Sequence, residues 1–311
     1  MIEREVLRDR FDLPLDKKIK LTRGVIKRFH KVLEGQVYVS FSGGKDSTVL
    51  LDLVRSQHPE VKGLFIDTGL EYPEIKDFVK TKDNIKIVRP TKSFRQVIEE
   101  HGYPIPTKQT AEKIERVRRN PTCATSRQYM TGIRSDGVFV NRSKISDKWM
   151  FLLDAPFKIS AKCCNYLKKY PVKRFEKETG LKPYIGSMAG DSAYRQGYYL
   201  KNGCTSFKEG KEKCLPLSWW NETDIWRYIK QNSLEYSTIY DKGLDRTGCI
   251  FCLFGITLGQ DFNRFQVMSK IHPQLFDYCI NKLGVGKVLD YVGIRYNPRE
   301  TMDMYGSNKN D

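Results

Sequence analysis

Ser42-Gly43-Gly44-Lys45-Asp46-Ser47 lies between an apolar run, Val37 to Phe41, and a second apolar run of helical character that begins at Val49. A strand that breaks at Gly-Gly and re-forms as a helix aims the first backbone N–H groups of that helix at one spot, where an anion is welcome. The glycines let the backbone approach an oxyanion closely, and Lys45 supplies a point charge. Ser40, Ser42, Ser47 and Thr48 carry hydroxyls that can donate to it. The stretch therefore reads as a phosphate cradle. Asp46 would repel a phosphate that it faced, so its expected work is to orient a neighbour or to help hold Mg²⁺. The spacing is not that of a Walker A loop, which places four residues between its first glycine and Gly-Lys-Ser/Thr. An ordinary strand-to-helix turn is the plain alternative.

Thiols form the second set of reactive groups. Cys163-Cys164 are adjacent and Cys249-Ile250-Phe251-Cys252 is a CxxC, with 84 residues between the pairs. Four thiolates in two pairs suit a [4Fe–4S] cluster or a tetrahedral zinc, with a thiol/disulfide pair or inert cysteines as the other options. Adjacent cysteines point apart in most backbones, which is awkward for a compact zinc site. Cys204 and Cys214 could be a redox pair or sulfur relay, although cysteines so spaced are more often incidental. Cys279 falls on an apolar helical face and reads as core; Cys123 follows Pro121 and has no evident role. The four histidines, His30, His58, His101 and His272, are scattered along the chain and suggest no ligand set.

Positioning these groups calls for an α/β fold. Strand 37–41, helix 46–56, strand 63–67, helix 73–81 and strand 85–88 alternate, and short apolar strands of this kind form a parallel sheet with helices on both faces. The phosphate loop and Asp67-Thr68-Gly69 both fall at carboxyl ends of strands, the edge where open α/β sheets bind ligands. Residues 1–35 read as a helical lead-in with an apolar stripe at Val25, Ile26, Phe29 and Val32-Leu33. Residues 104–150 read as a basic insertion, after which the α/β rhythm resumes near Met150, with 182–186 as a further strand. Asn221 is placed to cap a helix over 222–231. The chain from 253 onward reads as a helical cap and tail, which leaves 36–252 as the nucleotide-binding domain.

The chain has 311 residues, 40% of them hydrophobic, enough for a substantial core. No apolar run nears the roughly 20 residues of a membrane span, and Met1 to Glu5 has no signal pattern, so the expected location is the cytoplasm. Eight cysteines in such a chain are expected to be reduced. The formal net charge is +17. Between His101 and Lys182 there are 18 Lys and Arg against 7 Asp and Glu, so the excess concentrates around the insertion. A polyanionic partner is one reading, and a diffusely basic, soluble surface the other.

Ser42 to Ser47 resembles the PP-loop, Ser-Gly-Gly-Lys-Asp-Ser, of the ATP pyrophosphatase and phosphoadenosine-phosphosulfate reductase superfamily. Phe65 to Glu74 is similar to the segment that lines the nucleoside side of the site in sulfonucleotide reductases, where Asp67, Thr68 and Gly69 would contact ribose or adenine; a helix cap is the plainer role. The cysteine arrangement looks like that of adenylylsulfate reductases, which implies that Cys163, Cys164, Cys249 and Cys252 hold a [4Fe–4S] cluster rather than zinc. Gly186 to Arg195 resembles the family's substrate-gripping segment, and Pro216 to Trp220, Asp224 to Trp226, Tyr240 and Arg246 to Cys249 also fit. Gly248 to Gly255 resembles the Gly-Cys-x-x-Cys-x-Phe-Gly of a branch common in bacteria and their phages. The likeness runs from about Val37 to about Asp290 and implies a Rossmann-like fold of the adenine nucleotide alpha-hydrolase type.

Two departures bear on activity. The C-terminal Glu-Cys-Gly-x-His of sulfonucleotide reductases, whose cysteine attacks sulfur, does not occur in this sequence. Where those enzymes carry an arginine after the glycine of the substrate segment, Met188 stands here, although Arg195 remains. The resemblance therefore implies an ATP-dependent, Mg²⁺-assisted iron–sulfur enzyme that adenylates an acceptor for sulfur transfer, with Lys45, Asp46 and Ser47 catalytic. The basic insertion suggests DNA or tRNA as acceptor, and a cysteine desulfurase is a conceivable sulfur donor. A sulfonucleotide reductase or sulfotransferase, and a non-catalytic nucleotide- or nucleic-acid-binding subunit, are the alternatives.

Overall fold

Val37, Tyr38 and Val39 are buried and β-favouring, and they make β1 the centre of a sheet. The structure, a computed structural model, describes residues 3–256 and 263–297. In chain order the elements up to the insertion are α1 (Arg4–Phe11), α2 (Leu15–Val32), β1 (Val37–Ser40), α3 (Lys45–Arg55), β2 (Gly63–Ile66), α4 (Pro73–Lys80) and β3 (Ile85–Val88). They are followed by α5 (Phe94–His101), α6 (Lys108–Arg119), α7 (Ala124–Thr131), α8 (Tyr170–Thr179), β4 (Lys182–Ile185) and α9 (Ala193–Asn202). Next come β5 (Thr205–Ser206), β6 (Lys213–Cys214), α10 (Glu222–Gln231), α11 (Arg264–Ile271), α12 (Pro273–Asp277) and α13 (Val285–Tyr291).

The chain divides into two compact units. The first takes the chain up to Asp67, Glu71–Arg89 and Tyr170–Thr247. It holds the whole sheet, in the order β3-β2-β1-β4-β6-β5, parallel throughout except for β5 against β6. The chain runs outward from β1 through β2 to β3, then returns to place β4 on the other flank of β1. The switch point thus lies between β1 and β4, where Val39 pairs with Tyr184 and Ser40 with Ile185. Alternation along the strands sends Tyr38, Leu64 and Ile66 to one face, where Phe175 and Val172 of α8 cover them. The other face carries Tyr184, which meets Phe29 of α2 edge-on, and Phe41, which meets Phe78 of α4. Helices therefore cover both faces, as expected.

The lead-in is fastened polar group by polar group. Lys18, on α2, is 1% exposed and its Nζ lies 2.6 Å from Asp224 Oδ2. Asp224 also closes the cap of α10: Asn221 Oδ1 accepts from the Asp224 N–H and Asp224 Oδ2 from the Asn221 N–H. Trp220 Nε1 donates to Thr22 Oγ1, which donates to the Pro216 carbonyl.

The second unit comprises Thr68–Leu70, Pro90–Lys169 and the described chain from Gly248. Its α5 starts in a Ser93–Gln96 capping box, and α6 buries Ala111, Ile114 and Val117. Trp149 and Leu152 are buried within a 3-10 stretch, Asp147–Asp154. The expected return of the α/β rhythm near Met150 is therefore displaced to α8, because the apolar residues around 150 fill 3-10 turns. Among the described residues no helix is long and apolar enough to cross a membrane.

A buried charge left without its partner is strongly destabilising. Lys18→Met is expected to cost about 3–5 kcal/mol in urea unfolding. A double Lys18→Met/Asp224→Asn variant should lose less than the sum of the single losses, since neither residue then strands a charge.

Candidate functional site

Gly43 and Gly44 end the extended segment and Lys45 opens α3. Gly43 has φ +73°, and a Cβ there would lie 2.8 Å from Val79 Cγ2 and 2.9 Å from Ile75 Cγ2, so only glycine fits. Gly186, at the end of β4, packs so closely on α3 that a Cβ would sit 3.3 Å from the Asp46 carbonyl. The switch point therefore joins the Ser42–Ser47 loop to the first residue after β4.

Within the loop, the Ser42 N–H donates to Ser47 Oγ and the Gly44 N–H to Ser42 Oγ. Ser47 Oγ and Thr48 Oγ1 both donate to the Gly44 carbonyl. Ser40 ends β1, half-buried, and Ser42 is exposed. The Lys45 N–H donates to the Tyr240 hydroxyl at 2.8 Å, and that hydroxyl lies 3.2 Å from Thr247 Oγ1. Lys45 itself is 5% exposed. Its Nζ lies 2.9 Å from Glu222 Oε1, donates to the Asp245 carbonyl, and stands over the rings of Tyr240 and Trp226. Asp46 Oδ1 is buried with no hydrogen-bond partner. Burial foremost raises the Asp46 pKa; Lys45 opposes this, and the carboxylates of Asp191 and Glu222 add to it. Two further acidic groups thus lie in electrostatic range of Asp46 beside the loop.

Arg195 is placed near the expected segment but bound: its guanidinium pairs with Asp191, which also has Arg246 at 3.7 Å. Arg195 lines a pocket of about 230 Å³ with Met188, Tyr194, Tyr198 and Lys213. Asp67, at the end of β2, pairs with Lys76 and Arg89, each at 3.0 Å. Cys204 and Cys214 flank the β5–β6 pairing, and burial pushes both thiols up.

The second unit gathers the four expected thiols. Cys163 and Cys164 open a helical stretch that includes the π-helical turn Asn165–Lys169, so their side chains diverge by about 100° rather than to opposite sides. The Cys252 N–H donates to the Cys249 carbonyl, a tight turn whose Ile250 and Phe251 are buried. A hydrogen bond with Cys164, burial, and the charges of Cys164, Cys252 and Cys249 raise the Cys163 pKa. All three of the other expected thiols thus act electrostatically on Cys163. The Cys163 hydrogen bond, then Lys108, Lys168 and Lys169, lower Cys164 against its burial. Burial raises Cys252, opposed by Arg264. Thr68 Oγ1 accepts from the Leu70 N–H, and the Leu70 carbonyl accepts from Ile250; Gly69, with φ +77°, makes the turn. Thr68 thus serves the turn that holds the CxxC.

Tyr240, Thr247, Glu222 and Asp191 were not singled out by residue type or spacing. The family resemblance alone reaches Tyr240, Asp191 and Thr247, because hydroxyls and carboxylates some 150–200 residues from the loop leave no local signal. The histidines need a correction: His30 and His58 stack with centroids 3.6 Å apart, beside Glu60. They are 28 positions apart in the sequence, and the sheet brings them together.

A glycine-turned helix start at the switch point of a parallel sheet defines an open α/β fold with an anion-binding arrangement at its ligand edge. The chain belongs to the phosphoadenosine phosphosulfate reductase domain family, which it matches over residues 36–253. It is 28% identical over 276 residues to an uncharacterized protein of Methanocaldococcus jannaschii, covering 86% of this chain and 53% of that protein. It is 22% identical to the adenosine 5'-phosphosulfate reductase of Geobacillus kaustophilus, covering 77% of this chain and 82% of that one. The chain spans 53% and 38% of the two Methanocaldococcus relatives it matches. Among solved structures it is similar to the phosphoadenylyl-sulfate reductase of Candida auris (TM-score 0.43, 17% identity, 80% of this chain and 96% of that one). It is also similar to the U34-tRNA thiolase of Methanococcus maripaludis with its [4Fe-4S] cluster (TM-score 0.39, 14% identity, 89% and 80%).

The loop geometry makes two variants informative. Gly43→Ala is expected to lower stability by about 1–3 kcal/mol in urea unfolding, from positive φ and overpacking together. Tyr240→Phe frees the Lys45 amide and should strengthen inorganic pyrophosphate binding in calorimetry by about 1 kcal/mol, the net worth of one hydrogen bond. Lys45→Ala should abolish that binding.

Proposed function

We propose that this protein binds ATP at the Ser42–Thr48 loop and cleaves it between the α- and β-phosphates, adenylating an acceptor for sulfur transfer. The observation that carries the reading is the buried Lys45 at the amino end of α3, on the β1/β4 switch point, with the loop amides around it. An acceptor oxygen attacks the α-phosphorus; the new P–O bond forms as the α–β bridge breaks, and pyrophosphate leaves with the electron pair. A sulfide-level sulfur nucleophile then attacks the activated atom, and AMP departs with the oxygen. Lys45 and the backbone N–H groups of Gly44 and Lys45 meet the charge that builds on the leaving pyrophosphate. Reaching them requires the Tyr240 hydroxyl and Glu222 carboxylate to yield their places to phosphate oxygens.

The unpartnered, buried Asp46 Oδ1, with Asp191 and Glu222 in range, suits a hard cation that also needs phosphate oxygens. Mg²⁺ held there would neutralise charge on the phosphates. Four cysteines with Lys108, Lys168, Lys169 and Arg264 near them fit an anionic thiolate-ligated cluster. A [4Fe–4S] group held by Cys163, Cys164, Cys249 and Cys252 would supply a binding point for sulfur. Phe139, 60% exposed, with the exposed Arg134 and Arg142 in the same insertion, supports a nucleic acid as acceptor, since an aromatic face among cations suits unstacked bases. Arg134 also lies 2.8 Å from Asp136, and further cations of the insertion are committed internally: Lys113 donates to the carbonyls of Arg142 and Lys144, and Arg118 to those of Phe157 and Ala155.

The likeness to adenosine 5'-phosphosulfate reductases favours a second reading, reduction of a sulfonucleotide. Cys204 and Cys214 are candidates for its nucleophile, and their burial disfavours the thiolate.

Protein purified without oxygen is expected to be brown with four irons per chain, and to release pyrophosphate from Mg-ATP faster when DNA or tRNA is added. Lys45→Ala should stop release, and Cys164→Ser should bleach the colour while leaving ATP binding in place. Absence of ATP binding overturns the proposal; sulfite release from adenylylsulfate with thioredoxin as reductant decides for the second reading.

A further inference from the structure

On the first unit's sheet, the edge opposite the Ser42–Ser47 loop carries a second cluster of ligating side chains. His30 lies in the last turn of α2, just before β1. His58 and Glu60 lie in the connection from α3 to β2. One ligand atom from each of the three falls within 4.8 Å of the others. His30 Nε2 is 3.2 Å and His58 Nδ1 3.9 Å from Glu60 Oε1. Two donors on one tetrahedral zinc, each about 2.0–2.1 Å from it, lie about 3.3 Å apart. The observed separations bracket that value.

We propose that His30, His58 and Glu60 form a binding site for a borderline divalent transition ion, of which Zn²⁺ is the type, that clips α2 to the α3–β2 connection. Two imidazoles and one carboxylate are the donor set such ions take, while Mg²⁺ and Ca²⁺ prefer all-oxygen surroundings.

The connection is held in place independently of any ion. Arg55 Nε donates to the Val61 carbonyl, Asn84 Nδ2 to the Glu60 carbonyl, and the Val61 N–H to the His58 carbonyl. On the other side, the Gly35 N–H donates to the His30 carbonyl. Both backbones are therefore pinned, and the side chains need only small rotations. The rings stack within 6° of parallel, so the stack must open for two lone pairs to converge. The imidazole χ2 torsion is broad and soft, which allows that. His58 Nδ1, the nitrogen that faces Glu60, is the one offered to the ion; the ring's other nitrogen, Nε2, is buried without a hydrogen-bond partner. Two stacked imidazoles sharing a single carboxylate are better satisfied with a cation among them than without.

The test compares zinc content and zinc-dependent melting of the wild type with His58→Gln and Glu60→Gln, so that any ion at the cysteines cancels in the difference. Glu60 is largely exposed, with 64% of its side chain accessible, so its substitution leaves the fold intact. Wild-type protein is expected to retain one more equivalent of Zn²⁺ after desalting, and its melting temperature should rise with ZnCl₂ but not with MgCl₂. Both variants should bind that equivalent at least tenfold more weakly and lose the rise. Cobalt bound at the differing site should show d–d bands without sulfur-to-metal charge transfer. Equal zinc content in all three proteins, or a melting shift that survives both substitutions, overturns the proposal.

Discussion

A cation buried at the positive end of a helix is the constraint around which the first unit is arranged. Lys45 is the first residue of α3, so its ammonium adds to the partial positive charge of the unpaired N–H groups there. Neither is comfortable away from water unless anionic or electron-rich groups face it. The chain supplies them from far away: the Glu222 carboxylate, the Asp245 carbonyl, the Tyr240 hydroxyl on the amide, and two aromatic faces. Oxygens at the amide and at the ammonium are what a polyphosphate would also provide. The same positive excess that makes the loop an anion site thus explains why residues 222–247 fold over it.

The thiols obey a different constraint. A pair adjacent in sequence avoids pointing to opposite sides if the backbone is helical, and Cys163-Cys164 lies at the start of such a stretch, just before a π-helical turn of the kind that often marks functional positions. A CxxC converges if its middle residues are turned away. Ile250 and Phe251 do this by burial, Phe251 packing near Phe94 and Tyr278. Hydrophobic packing thus shapes the CxxC turn, while lysines and an arginine lie in electrostatic range of Cys164 and Cys252.

What the sequence reveals in advance is what short-range chemistry controls. The strands β1 to β4, the helix from Glu222 to Gln231 and its Asn221 cap follow from apolar runs and a capping residue, and end within a residue or two of expectation. The Gly-Gly-Lys turn is legible for the same reason, since the residues that shape it are its own. Tyr240, Glu222 and Asp191 act on the loop through tertiary contacts and carry no local signal of position; only the family resemblance reaches Tyr240 and Asp191. His30 and His58 look scattered because their stacking depends on the sheet bringing α2 beside the α3–β2 connection. Charge counting misleads in a similar way: Lys113 and Arg118 contribute to a basic insertion, yet both are used to tie carbonyls within it.

Charge accounting also separates the two nucleotide chemistries. Adenylylsulfate carries a sulfate on its α-phosphate, and its 3′-phosphorylated form a further phosphate on the ribose; each such group asks for a cation not already neutralised. In the segment after β4, Met188 is apolar and buried, and Arg195 is paired with Asp191, a carboxylate that Arg246 also approaches. Asp191 thus draws two guanidinium groups onto itself and adds its charge to the field that raises Asp46. The acidic surroundings of Asp46 suit a divalent cation with triphosphate oxygens better than a bare sulfate, which would meet those carboxylates directly. On the proposed reading, that balance of fixed charge is what favours ATP at this loop.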